Sequence, residues 1–264
     1  MRKEPFEKLI TAVGHCSEYA VNAQSNIIRS YKDDGSVLTE TDLYISEYLI
    51  ETIEKNFPEC SIISEEKLTS LSMDSPYIFV LDPIDGTDVY SQGFPSWCIA
   101  IGILNRDREP VGSILSAPRW GVGTPDGLLL TLFPGEKTLI NGEPLLCEKD
   151  FSTITQLVVC SGSYKTLDFT KITGKLRSFG SNILHILAPA IFNHIQAAVF
   201  SDSFIWDIAA SHAVIESVGL TMKYIDGRTF TYTDEMLARE TSSGYVVVCS
   251  PEHIDDLINR ISRR

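Results

Sequence analysis

The hexapeptide Asp82-Pro83-Ile84-Asp85-Gly86-Thr87 constrains this chain more than any other stretch. It follows Tyr77-Ile78-Phe79-Val80-Leu81, a short apolar, β-prone run that reads as a buried strand. A carboxylate at the end of such a strand is costly unless positive charge meets it. Asp82 and Asp85, three residues apart, add mutual repulsion to that cost. A hard divalent cation such as Mg²⁺ removes it, because such ions prefer oxygen ligands. Pro83 stiffens the link between the acids, and Gly86 lets the backbone approach a ligand closely. Thr87 sets a hydroxyl beside the carboxylates, and the amides of Gly86 and Thr87 at a turn suit phosphate oxygens. Asp85-Gly86-Thr87 alone would equally serve as an ordinary turn. The whole hexapeptide is harder to read that way.

Bulk properties narrow the function classes. At 264 residues the chain suits one large unit of two lobes, about 1–150 and 151–264, and its 44% apolar content is that of a globular protein. No apolar run is long enough for a bilayer. No signal-peptide core follows Met1-Arg2-Lys3-Glu4-Pro5, so a cytoplasmic location is expected. Six scattered cysteines without a Cys-x-x-Cys pair give neither a zinc site nor a disulfide framework. A net charge of −13 disfavours nucleic-acid polymers and anionic membranes as partners. Between residues 31 and 90 the only basic residues are Lys32, Lys55 and Lys67. A solvated acidic face explains that bias, and so does a cation-binding centre.

In chain order, Phe6, Leu9, Ile10, Val13 and Ala20 fall at helical spacing, predicting a helix over about 4–30. A polar loop with Lys32 and Gly35 follows. Thr39 and Thr41 are candidate N-caps for a second helix that Pro58 stops, with Asp42 in its first turn. There, a carboxylate would ordinarily just complement the helix dipole. Ser61-Ile62-Ile63-Ser64 reads as a strand running into Glu65-Glu66. If it lies beside the strand ending at Asp82, Glu65 comes near Asp82 and Asp85. Residues 97–104, 111–116 and 128–132 read as further strands in a largely antiparallel sheet, with turn signals at Asn105-Arg106-Asp107 and Asn141-Gly142. The glycine-rich stretch 121–127 has the wrong spacing for a dinucleotide loop and reads as a plain loop. The C-terminal half alternates: strands at 157–160, 197–200 and 245–249, a helix over 181–192 interrupted at Pro189, a helix opened by Trp206-Asp207 and closed by Gly219, and a last helix from Pro251. Asp207 at a helix start would by itself be a capping residue.

Taken together, Asp82-Pro83-Ile84-Asp85-Gly86-Thr87, Glu65-Glu66 upstream and Trp206-Asp207-Ile208-Ala209-Ala210 downstream resemble the inositol monophosphatase family of Mg²⁺-dependent, lithium-sensitive sugar-phosphate phosphatases. Thr39-Glu40-Thr41-Asp42 is similar to that family's Thr-x-x-Asp element, and Gly180-Ser181 to its small-residue turn near the substrate. The resemblance runs in order over nearly the whole chain. It implies an α/β fold, a layered αβαβα sandwich with a largely antiparallel N-terminal sheet and a mixed C-terminal sheet. It also implies roles. Glu65, Asp82 and the Ile84 carbonyl would hold one Mg²⁺, and Asp82, Asp85 and Asp207 a second, with a weaker third near Glu65. Thr87, bonded to Asp42, would orient and help deprotonate the attacking water, with Glu65 also in the catalytic set. Gly86 and Thr87 would grip the phosphate, while Gly180, Ser181, Asn182, His185 and Asp207 would face the rest of the substrate. The loop from Lys32 to Ser36 matches a segment that orders with metal, and a homodimer is implied.

A haloacid-dehalogenase-type phosphatase also carries Asp-Gly-Thr, but its nucleophilic Asp stands two residues before the second Asp. Here the separation is three, which argues against an aspartyl-phosphate mechanism. The five histidines show no metal-ligand spacing. For the leaving group, the position where inositol-selective members carry an acid corresponds to Phe200, with Asp202 and Ser203 nearby. Cys160-Ser161-Gly162-Ser163-Tyr164 sits where nucleotidases have Ser-x-Ser-His, with Tyr164 replacing the histidine. A small polyol or sugar monophosphate is therefore the first expectation. A 3′,5′-bisphosphate nucleotide or fructose bisphosphate comes second, and a binding-only regulator is a further alternative.

Overall fold

A computed structural model describes residues 1–69, 71–72, 74–121 and 127–264. The glycine-rich stretch thus falls largely outside the described residues.

Helix α1 (Lys3–Ala23) carries Phe6, Leu9, Val13, Cys16 and Ala20 on its buried face, the spacing of an amphipathic helix. It ends sooner than its periodicity predicts and passes through a 3₁₀ turn at Gln24–Asn26. A hairpin of β1 (Ser30–Tyr31) and β2 (Val37–Leu38) leads into α2 (Glu40–Asn56).

The first sheet has seven strands in sequential order: β3 (Ser61–Ser64), β4 (Tyr77–Asp85), β5 (Cys98–Asn105), β6 (Pro110–Ala117), β7 (Leu128–Leu132), β8 (Leu139–Ile140) and β9 (Glu143–Pro144). Among the described residues of this sheet, only β3 and β4 run parallel. The next elements are β10 (Gln156–Val159), β11 (Leu167–Asp168), β12 (Lys175–Arg177), α4 (Asn182–Ile191) and β13 (Ala197–Phe200). They are followed by α5 (Ala209–Ser217), β14 (Thr221–Tyr224), α6 (Asp234–Leu237), β15 (Val246–Cys249), α7 (Ile254–Arg260) and β16 (Ser262–Arg263), while α3 (Thr87–Ser91) follows β4 directly. The second sheet has the order β12-β10-β13-β15-β14 and is mixed, with parallel pairs at β12/β10/β13 and antiparallel pairs at β13/β15/β14.

These elements stack in five layers. Helices α1 and α2 cover one face of the first sheet, α4 and α5 lie between the sheets, and α7 packs on the second sheet through β15. The apolar core follows the layers. Leu9, Ile45, Leu49, Phe79 and Ile101 pack under α1 and α2, and Val80, Leu104, Val158, Phe200 and Val247 join in a core reaching both sheets. Each such fully buried aliphatic side chain contributes roughly 1.5–3 kcal/mol.

Gly102 decides where α5 can sit. A Cβ there would lie 2.6 Å from the Cβ and carbonyl carbon of Ala209. Without that side chain, the first turn of α5 rests directly on β5, opposite Val80 of β4. Asp207, two residues before α5, is thereby brought beside the end of β4.

Candidate metal and phosphate site

The sequence ends the central strand at Leu81, but β4 continues through the hexapeptide to Asp85. Along a regular strand, residues three apart face opposite sides of the sheet. Here Asp82 pairs with Ala100 and Asp85 with Cys98, so β4 spends three steps where β5 spends two. That irregularity at Pro83-Ile84 re-aims the second acid, as bulges do, and proline is tolerated there because no ladder donor is needed. One carboxylate oxygen from each of Asp82, Asp85 and Asp207 falls within 4.8 Å of the others. The parallel register Ser64 to Leu81 puts Glu65 at the adjoining strand end, its amide donating to Leu81 O at 3.2 Å.

The electrostatics of this corner favour a bound cation. Asp82 is 1% exposed and its Oδ1 has no hydrogen-bond partner. Burial, and then the charges of Glu65, Asp85 and Asp207, push its carboxyl well above the usual range. Asp207 is raised likewise by burial and by Asp85 and Glu65. Burial pushes Asp85 up to about 6 despite its hydrogen bonds. Such a set is expensive as bare carboxylates and well suited to hard cations. The carbonyl of Ile84 accepts Thr87 Oγ1 at 2.9 Å and keeps a second lone pair, while the Ile84 side chain is core.

Asp42 does two things at once. Its Oδ2 accepts the Thr39 amide at 2.9 Å and the Thr39 hydroxyl, closing a capping box at the start of α2. Its Oδ1 accepts Thr87 Oγ1 at 3.1 Å. Burial raises its carboxyl to about 6. Gly86 has φ 87°, and a Cβ there would press on Val89, the Gly180 carbonyl and Ser181. Only glycine allows the hexapeptide turn and the Gly180-Ser181 turn to touch.

Residues 180–185 build the opposite wall. Ser181 caps α4, accepting the Leu184 amide at 3.1 Å while its hydroxyl donates to Asp85 Oδ2. Asp85 also accepts the amides of Ile183 at 2.8 Å and Asn182 at 3.3 Å, so the acid doubles as an anchor for the helix start. Asn182 Nδ2 donates to Ser203 Oγ at 3.2 Å. His185, expected to face a sugar, is 1% exposed. Its Nε2 accepts the amides of Phe179 at 2.7 Å and Gly180 at 3.3 Å. That corrects the expectation: one helical turn beyond Ser181 the ring points into protein and clips the turn. Phe200 is likewise fully buried in β13, so it is no substitute for a substrate-contacting acid. Asp207 Oδ2 accepts the Phe204 amide at 2.8 Å in the turn ahead of α5.

Two cations also meet here. Lys32 Nζ, from the β1–β2 hairpin, sits 2.7 Å from Glu65 Oε1 and 2.6 Å from Glu66 Oε1. Burial works against its charge, but Glu65 and Glu66 outweigh it and raise its pKa. Burial and Glu65 together push Glu66 up to about 7. Arg239 reaches the same corner from the C-terminal half, donating to Glu65 O at 2.8 Å.

Comparison with known proteins points to one family. The model of the inositol monophosphatase family matches residues 6–263. The chain belongs to the inositol monophosphatase family. Family members similar to it include a chloroplastic phosphatase, IMPL1, of Arabidopsis thaliana (25% identity; 81% of this chain, 60% of the relative). A Nus factor SuhB of Pasteurella multocida is 24% identical, over 87% of this chain and 84% of the relative. The match therefore spans less than two thirds of the plant protein. Among solved structures, an IMPase of Thermotoga maritima shares the fold with a TM-score of 0.80 at 18% identity, over 98% of this chain and 96% of the other. An IMPase/NADP phosphatase solved with Mg²⁺ and phosphate gives 0.77 at 16% identity, over 97% and 95%. At such identity the structural likeness speaks for the fold alone. Membership places the chain in a family of phosphatases.

Proposed function

We propose that this chain hydrolyses the phosphate monoester of a small sugar or polyol, using divalent cations held by Glu65, Asp82, Asp85, Asp207 and the Ile84 carbonyl. The observation that carries the reading is the orphaned, buried Asp82 Oδ1 inside a cluster of three converging acids. When bound, Mg²⁺ would make water a stronger nucleophile and neutralise charge on phosphate oxygens. The protein's own groups do the rest. Thr87 has one proton and two acceptors in reach, Asp42 Oδ1 and Ile84 O, which leaves its oxygen free to accept from a water. Asp42, raised to about 6, is poised to take a proton near neutrality. The left-handed turn at Gly86 exposes main-chain donors to the phosphate. Two Mg²⁺ ions, a weaker third near Glu65, inhibition by Li⁺, a homodimer and a cytoplasmic location belong to the same reading. Among the described residues, no helix is long and apolar enough to cross a membrane.

On the leaving-group side, the ends of the parallel strands carry neutral hydroxyls. Ser161 bonds Ser178 at 3.2 Å, and Ser203 meets Asn182. Ligands of open α/β sheets bind at that edge. Hydroxyls suit a polyol better than a second phosphate, which supports a monophosphate over 3′,5′-bisphosphates. The second reading is a protein that binds metal and phosphosugar without turnover and serves as a regulator or assembly partner. The test is phosphate release from a panel of sugar, polyol and nucleotide phosphates with Mg²⁺, with and without Li⁺. We expect a polyol or sugar monophosphate to be preferred and Thr87→Ala to lose about 10²-fold in kcat, the scale of a lost positioned group in proton transfer. Silence across the panel from folded, Mg²⁺-loaded protein would transfer the argument to the binding-only reading.

Lys32 supplies a further expectation. Its ammonium neutralises Glu65 and Glu66, a charge that an incoming cation must compete with. Lys32→Met should bind Mg²⁺ more tightly, by roughly tenfold or about 1.4 kcal/mol, while its metal-free form melts lower. Calorimetric titration showing weaker binding would mean that Lys32 assists the metal instead.

A further inference from the structure

Arg239 follows α6 and lies far along the chain from every acid of the site. Its φ of 72° is left-handed, a strained conformation for a residue with a side chain. Such strain persists only where the surroundings hold it. Its guanidinium donates to the carbonyls of Ser64, Glu65 (2.8 Å) and Lys67 (3.3 Å), and its Cζ lies over the Trp206 ring, 4.8 Å from the centre. Trp206 is itself stacked on Phe204, at 4.5 Å and 11°. One side chain is thus fastened to the main chain bearing Glu65 and to the ring preceding Asp207, two acids that reach the site from opposite halves of the sequence. Among the described residues, Lys32 hydrogen-bonds the carboxylates of Glu65 and Glu66 and reaches Asp207 through its charge alone, whereas Arg239 holds main chain and ring directly.

We infer that Arg239 is a positioning residue for the metal centre, setting Glu65 against Asp207 through the Glu65 backbone and the Trp206 ring. This rests on the proposed function, because it presumes that Glu65 and Asp207 share cations with Asp82. A planar fork is required: it meets several carbonyls while stacking on indole, which an ammonium cannot do. Groups that orient ligands are worth about 10–100-fold in metal affinity.

The test uses the full chain, stripped of metal and titrated with Mn²⁺ by calorimetry, with a thermal melt of each sample. Arg239→Lys should weaken Mn²⁺ binding about tenfold or more with little change in melting temperature, and Arg239→Met should weaken it further. Should Arg239→Met fail to fold, the lysine variant decides alone. In a Glu65→Gln background, Arg239→Lys should add almost nothing, since the ligand it positions is already impaired. Unchanged Mn²⁺ affinity in Arg239→Lys overturns the inference. So does a loss of full size in the Glu65→Gln background, which would make the arginine a general support. A wild-type protein that takes up no Mn²⁺ overturns the metal reading itself, and the inference with it.

Discussion

Asp82→Asn is expected to lose turnover by at least about 10³-fold, or about 4 kcal/mol of barrier, and yet to melt higher than the native chain in EDTA. The two effects share one cause. Without metal, Asp82 carries an unpartnered buried oxygen and faces the charges of Glu65, Asp85 and Asp207. Like charges about 4–5 Å apart cost about 3–4 kcal/mol per pair at an effective dielectric near 20, softened when the acid takes a proton. Asparagine keeps the volume and removes the charge, so the metal-free fold gains. A gain of about 1 kcal/mol or more would raise Tm by about 2–4 °C in a chain of this size. The same change removes the charge best placed to be shared between cations. Mg²⁺ at a hundred times its Kd should stabilise the native chain by about 2.7 kcal/mol and the variant by much less. A variant that retains activity, or that melts lower than the native chain in EDTA, would show that Asp82 is ordinary buried polar structure.

The sequence made some of this site legible and hid the rest for physical reasons. Apolar runs before Glu65 and Asp82 were enough to expect two strands ending on one side, and the parallel register of β3 and β4 agrees. The apolar run stops at Leu81, so the sequence does not show that β4 continues to Asp85 through an irregularity at Pro83-Ile84. At Asp42 the sequence offers a choice between a carboxylate that complements the helix dipole and an active group. A carboxylate has two oxygens, and here each takes one task. Spacing places His185 and Phe200 on their elements without telling which neighbour covers them. His185 turns inward to clip its own loop, and Phe200 faces the core between α4 and the second sheet. Gly102 and Arg239 carried no signal at all. The need for a bare Cα at Gly102 exists only once α5 is docked on β5, and Arg239 acts only when residues 64–67 and 206 have been brought together by the fold.

The docking that assembles the site also stores charge in it, and that sets how the metal-free protein should respond to pH. Asp85 and Asp42 are raised to about 6 and Glu66 to about 7, chiefly by burial, and burial also lifts Asp82 and Asp207 well above the usual carboxylate range. In the unfolded chain all five titrate near 4. Between those values the folded state holds more protons than the unfolded one, so stability must fall as pH rises, by about 1.4 kcal/mol per pH unit for each extra proton. Below pH about 4 the sign reverses, because surface acids such as Asp34, Asp150 and Asp226, held low by local hydrogen bonds, begin to protonate. In EDTA the melting temperature should therefore peak near pH 4 and decline towards pH 8. With saturating Mg²⁺ the cluster is held ionised and protons become competitors of the metal, so the melting temperature should rise over the same interval. The pair of melting curves is the measurement. A metal-free protein whose stability is flat or climbs from pH 5.5 to 8 would mean that its acids are not crowded together in the folded chain, and the cation-binding centre would lose its electrostatic basis.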